Sequence, residues 1–170
     1  IFGVAAIKEW VRHQIALNTL AGRPFAKKLV KVPGTDLPMM LNARSTKQVP
    51  EFLYGDLKVR ARKTREGKVT ADEDALISVL TEAKKEFDAR IRTDVKERWM
   101  KVMIGVKIIL AIRRVAKLKS SYIDAKTSPD GRHRSEFKHG PETSRLAAAK
   151  YIDGTGLNLM TIPRGKLEVD

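Results

Sequence analysis

Cysteine is absent from the 170 residues. That absence removes disulfides, thiol nucleophiles and the cysteine-based structural zinc sites together, and it suits an intracellular or organellar setting. Long apolar runs are missing as well. The longest, Ile108 to Ile112, has five residues, far short of the roughly 20 that cross a bilayer as a helix. Aromatic residues make up only 6% of the chain, so there is little material for the stacking platforms that grip single-stranded nucleic acid. Acidic residues are outnumbered, with 20 Asp and Glu against 34 Lys and Arg, and the surface carries a positive field whatever the fold. Acidic partners follow from that field: nucleic acid, anionic lipid, or acidic protein surfaces such as tubulin tails and EF-hand proteins.

Residues for catalysis or metal binding are scarce too. The only histidines are His13, His133 and His139, and they read as lacking the i, i+4 partner or the Cys and carboxylate company of a metal site. Asp72, Glu73 and Asp74 cluster, as do Glu82, Glu86 and Asp88, but toward the start of a helix, where acids favour the positive end of the dipole. Gly22-Arg23-Pro24 and Gly154-Thr155-Gly156 read as turns rather than phosphate loops. No catalytic residue, metal ligand or cofactor is expected, and the chain reads as non-enzymatic.

What is present is helical periodicity. Val4, Ile7, Val11, Ile15 and Leu17 or Leu20 recur at three-to-four spacing, which predicts a helix over 2–21, stopped by Gly22 and Pro24, within an N-terminal segment 1–31. Residues 32–69 read as an irregular connector. It begins in Val32-Pro33-Gly34-Thr35-Asp36-Leu37-Pro38, packs through Met39, Met40, Leu41, Phe52, Leu53 and Tyr54, and ends in a basic arm, 58–68, with six basic residues and one acid. Thr70-Ala71-Asp72-Glu73 matches a capping box, with Thr70 and Glu73 exchanging bonds at a helix start. From there Leu76, Leu80, Ala83, Phe87, Ile91, Val95, Trp99, Met103, Val106 and Leu110 form one stripe. The stripe predicts a single long amphipathic helix over about 71–119, about 73 Å if unbroken, with Gly105 as its weak point. Residues 120–170 read as a Ser128-Pro129-Asp130-Gly131 turn, a basic loop, a short helix from Pro141 through Tyr151 and an extended tail. The expected class is mainly α: an extended helical scaffold with irregular connectors and basic arms.

The most informative stretch is 98–119, with seven basic residues and no acidic one. Trp99, Met103, Val106 and Ile112 stand at relative positions 1, 5, 8 and 14, the anchor spacing of basic helices that fill the grooves of calmodulin-like proteins. Arg98, Lys101, Lys107, Arg113 and Arg114 would complement acidic groove rims. The competing reading is a core helix, because Val102, Ile104, Ile108, Ile109, Leu110 and Val115 make it apolar around most of its circumference. Such a helix is surrounded by protein, its own or a partner's.

Lys85-Glu86-Phe87, Trp99 and Lys101-Val102-Met103-Ile104, followed by basic and apolar residues, cover about a fifth of the chain, over about 85–118. This stretch resembles the calmodulin-binding ciliary central-apparatus proteins of the primary ciliary dyskinesia type. The resemblance implies an axonemal scaffold that docks calmodulin, although the immunoglobulin-like β-domains of that family have no counterpart in this pattern. The alternative is an RNA-contacting ribosomal or mitochondrial-complex subunit. In that reading Arg60, Arg62, Lys63, Arg65 and Lys68, with the 132–139 loop, meet acidic surfaces through backbone phosphates.

Overall fold

The computed structural model describes residues 2–26, 30–32, 35–89, 92–132, 134–139, 146–149 and 155–156. The protein is mainly α, with short two- to four-residue strand pairs between and after the helices. It divides into two compact units, Ile1–Ala116 and Lys117–Asp170.

Helix α1 runs Phe2–Ala21, as its periodicity predicts, but it buries a different face. Trp10, Gln14, Leu17 and Ala21 are buried, whereas Ile15 is exposed. The reason is Gln14, a polar residue that the apolar count passes over. Its amide donates to the Leu41 carbonyl and to Asn18 Oδ1, both at 3.0 Å, so it enters the core with its donor satisfied. Asn18 continues the seam, donating to the Pro38 carbonyl and accepting the Met40 amide. The segment after α1 is thereby laid against it as two paired strands, β1 (Val30–Lys31) and β2 (Pro38–Met39). Side chains before Ile7, Val4 among them, and residues Leu29, Pro33 and Gly34 lie outside the described residues.

The connector contains a helix that its Pro50 and Gly55 conceal in the sequence. Helix α2, Gln48–Pro50, continues directly into a π-helical segment, Glu51–Asp56. Pro50 sits in the first turn, where no amide hydrogen is required. Phe52 and Leu53 are buried from this segment, and Leu41 from the chain before it. Arg23 clamps the segment to the end of α1: its guanidinium donates to Asp56 at 2.8 and 2.9 Å and to Glu51 at 3.2 Å, and it lies 4.1 Å over the Phe25 ring. Phe25 meets Phe52 edge to face. Two further strands follow, β3 (Arg62–Lys63) and β4 (Val69–Thr70), paired antiparallel.

The stretch expected as one helix is carried by two, α3 (Glu73–Ala89) and α4 (Thr93–Leu118). Ile91, placed on the continuous stripe by sequence, lies outside the described residues. The start of α3 also differs from a Thr70–Glu73 capping box. Asp72 accepts the Ala75 amide at 2.9 Å and is the N-cap, while Thr70 is held in β4 and accepts the Asp72 amide. Leu76, Val79 and Ala83 of α3 and Trp99, Val102, Val106, Ile109, Ile112 and Val115 of α4 belong to one buried cluster with Leu17, Leu41, Phe52 and Leu53. The two helices therefore do not project as a free-standing rod. Gly105 does not break α4; it admits the Phe52 ring, whose nearest atom stands 3.4 Å from where a Cβ would lie.

The second unit opens on the last residues of α4 and a π-helical segment, Lys119–Ile123, whose Lys119 ammonium bonds both Asp124 oxygens at 2.6 Å. The Ser128 to Gly131 turn closes as its sequence predicts, and Asp130 is paired with Arg134. Part of the basic loop is instead a strand, β5 (Glu136–His139), paired antiparallel with β6 (Leu146–Ala149). The alanine run read as helix is thus extended, its cross-strand partners overriding intrinsic propensity. His133, Pro141, Glu142, Tyr151 and the tail beyond Gly156 lie outside the described residues. Gly156 has φ +78, and an added Cβ there would collide with the Arg134 carbonyl.

Two predictions follow from this core. Gly105→Ala should stabilise the protein by about 0.5–1 kcal/mol, because a methyl meets Phe52 at contact distance and helix propensity improves; Gly105→Leu should destabilise it by about 2 kcal/mol through overpacking. Urea midpoints of the two variants check both signs. The Arg23 hydrogen bonds hold Asp56 below the ordinary carboxylate range. A lowered folded-state pKa means that stability is fully present above the unfolded value of about 3.9 and is lost as pH falls through the folded one. Asp56→Asn should therefore flatten the acid side of the stability profile, read by urea unfolding at stepped pH.

Candidate functional site

Helix α4 has two sides of opposite use. Turning inward at three-to-four spacing are Trp99, Val102, Val106 and Ile109, with Ile112, Val115 and Ala116 continuing the buried side. Trp99 is 8% exposed and Ile112 2%; Met103 is half-buried against the same cluster. Three of the four residues at calmodulin-anchor spacing are thus buried in this protein's own core, and the fourth packs against it. Presenting them to a partner groove would mean withdrawing α4 from the fold. Fully burying one side chain of this size is worth about 1.5–3 kcal/mol, so withdrawing several together would cost the fold a large part of its stability.

The cations singled out with them divide in the same way. Arg113 turns inward: its guanidinium donates to the Ala43 carbonyl at 2.7 Å and the Ala71 carbonyl at 2.6 Å, joining the connector to the start of α3. Burial lowers its pKa, while Asp72 and Glu73 act to raise it. Arg98 donates to the Lys58 carbonyl at 3.0 Å and lies 4.9 Å over the Trp99 ring, covering the indole at the base of the basic arm. Lys58 has φ +51, a left-handed conformation costing a non-glycine residue about 1 kcal/mol. Lys101, Lys107 and Arg114 face solvent and make no ion pair among the described residues.

Between those three cations stand two apolar side chains that the anchor spacing passes over, Met100 at 45% exposure and Ile104 at 42%. The signal for them is the four-residue step from Met100 to Ile104 and the seven-residue step from Ile104 to the half-buried Ala111, which place all three on one helical face. Ile108 is half-buried beside them. The solvent side of α4 is therefore an apolar strip edged by Lys101, Lys107 and Arg114.

In the basic arm, Arg60, Lys63, Arg65 and Lys68 are exposed, but Arg62 is withdrawn into an ion pair with Glu82 at 2.5 Å. Tyr54, half-buried, donates to the Thr70 carbonyl at 2.6 Å, and burial raises its pKa. His13 does have an i, i+4 carboxylate, with Nε2 3.4 Å from Glu9, contrary to the expectation that no histidine has one. Among the described residues no three His, Cys, Asp or Glu side chains gather, and no helix is long and apolar enough to cross a membrane.

The chain matches no protein-family model, no curated protein and no solved structure. The geometry of its own residues therefore carries the functional argument.

Trp99→Ala should destabilise the protein by about 3 kcal/mol, as expected for a large core truncation. Arg113→Ala should cost about 2 kcal/mol by leaving two carbonyls without their donor, and Arg113→Lys should recover only part of that. Chemical denaturation of the three variants measures each loss.

Proposed function

We propose that this chain is a non-enzymatic structural subunit of a large assembly and that α4 docks an acidic protein of the calmodulin-like EF-hand class. In this proposal the docking surface is the solvent side, Met100, Ile104, Lys101, Lys107 and Arg114, rather than Trp99, Val106 and Ile112. One observation carries it: two apolar side chains, each more than two-fifths exposed, lie among three cations that have no ionic partner among the described residues. An apolar strip rimmed mainly by cations, with exposed Glu97 at its N-terminal end, matches an apolar groove with acidic rims. Methionine also adapts readily to the methionine-rich grooves of EF-hand lobes. The axonemal setting belongs to the same proposal and rests on the residue resemblance over 85–118.

A single EF-hand lobe on one helix face differs from the wrap-around grip that the 1-5-8-14 spacing suggests. It leaves the core intact, so binding and folding are separable. The 170-residue chain titrated by calorimetry into calmodulin should bind with calcium and release when calcium is chelated, because the apolar groove opens only in the loaded state. Met100→Glu combined with Ile104→Glu should weaken binding by about tenfold or more, a loss of about 1.4 kcal/mol or greater, with little change in the thermal midpoint. Unchanged affinity in that double variant removes the solvent face of α4 as the docking surface.

A further inference from the structure

The β3–β4 ribbon is a second charged surface, separate from the proposed α4 face. Its register pairs Arg62 with Thr70 and Lys63 with Val69. Residues directly opposite in an antiparallel pair share a face, so Arg62 and Thr70 lie on one side of the ribbon, Lys63 and Val69 on the other. The two strands are tied down separately. Arg62 is ion-paired to Glu82 of α3, and the Thr70 carbonyl accepts the Tyr54 hydroxyl.

The loop is closed as tightly. The Gly67 amide donates to the Thr64 carbonyl at 3.0 Å and the Thr64 amide to the Lys68 carbonyl at 2.8 Å. Gly67 has φ +81, the left-handed position that ends a three-residue hairpin loop. The ribbon is therefore oriented before any ligand arrives, and a partner binding it loses little to ordering.

The outward side holds Lys63 and Val69, with Arg65 at the loop and Arg60 at the entry, all exposed. Among the described residues none of these three cations makes an ion pair, whereas Lys68 pairs with Glu66. Unpaired cations held in place call for anions. Val69, 50% exposed directly opposite Lys63, adds an apolar contact that a phosphate backbone would not use and that suits a chain in which acids alternate with aliphatic side chains. No aromatic residue occurs from Lys58 to Thr70, which removes stacking on nucleic-acid bases.

We infer that the outward face of the β3–β4 ribbon docks an extended acidic segment of a partner protein, with Arg60, Lys63 and Arg65 binding its carboxylates around Val69. The site does not depend on the α4 proposal.

Fluorescence anisotropy of the full chain, with a labelled ten-residue peptide of alternating Glu and Val and with a ten-nucleotide oligouridylate, tests the inference. Lys63→Glu with Arg65→Glu should lower peptide affinity by about tenfold or more. Lys8→Glu with Lys84→Glu, an equal charge change elsewhere, should alter it by about twofold or less. Tyr54→Phe leaves the charge unchanged and should still weaken the peptide severalfold by loosening the ribbon. Equal losses in the two charge-reversed proteins would reduce the site to the general field of the molecule and overturn the inference. So would tighter, steeply salt-dependent binding of the oligouridylate, which would assign the ribbon to phosphate, or no change in Tyr54→Phe, which would remove the fixed geometry from the argument.

Discussion

The seating of Phe52 against Gly105 is the contact on which the rest of the first unit depends. A glycine in the middle of a helix costs about 1 kcal/mol relative to alanine, and here an added Cβ would stand 3.4 Å from the Phe52 ring, so the space between ring and helix admits a methyl but no larger side chain. Phe52 reaches that notch from the π-helical segment after α2, which is in turn fastened to the end of α1 by Arg23. The ring thus meets α4 at Gly105 and Phe25 beyond the end of α1, and it belongs to the buried cluster that also takes Trp10 and Leu17 of α1. With that side of α4 taken, only its opposite face remains for a partner.

The same constraint sorts the basic residues. Arg113 is drawn in to bond two carbonyls and Arg62 to pair with Glu82. These two guanidiniums act as fasteners, joining segments distant in sequence, and they reduce the cations available to partners. A planar fork with several donors suits that work, whereas the ammonium groups of Lys63, Lys101 and Lys107 stay in water. The positive field of the chain thus has two origins, a structural set that is already neutralised or satisfied and a peripheral set that is not.

The mainly helical class and the C-terminal end of α1 were legible from apolar spacing and from Gly22 and Pro24. The buried face of α1 was not, because Gln14 occupies a core position that a count of apolar residues assigns to no one. Helix α2 was hidden by a proline that the first turn tolerates. Strand β6 was hidden by alanines whose helical preference yields to pairing with β5. The candidate site shows a deeper difficulty. Spacing identifies residues that share a helix face but not whether that face turns to a partner or to the protein's own core. Trp99, Val106 and Ile112 satisfy the geometry of anchors and are core; Met100 and Ile104 break that pattern and are exposed.

Arg98 relates the two peripheral surfaces. Its side chain covers Trp99 on α4 and bonds the Lys58 carbonyl at the entry to the ribbon, where the backbone is left-handed without a glycine. Such a conformation persists when surrounding contacts over-determine it, and this bond is one of them. The departure of the basic arm from the body is therefore set by a residue of α4 itself, whose buried side is held by the core. Two cationic surfaces carried on elements so joined keep a fixed spacing. Separately weak acidic contacts then reinforce one another through effective concentration when their spacing in the partner matches. If both proposed surfaces bind, a protein with few aromatics and one modest core would select an acidic partner by the placement of its charges more than by their number.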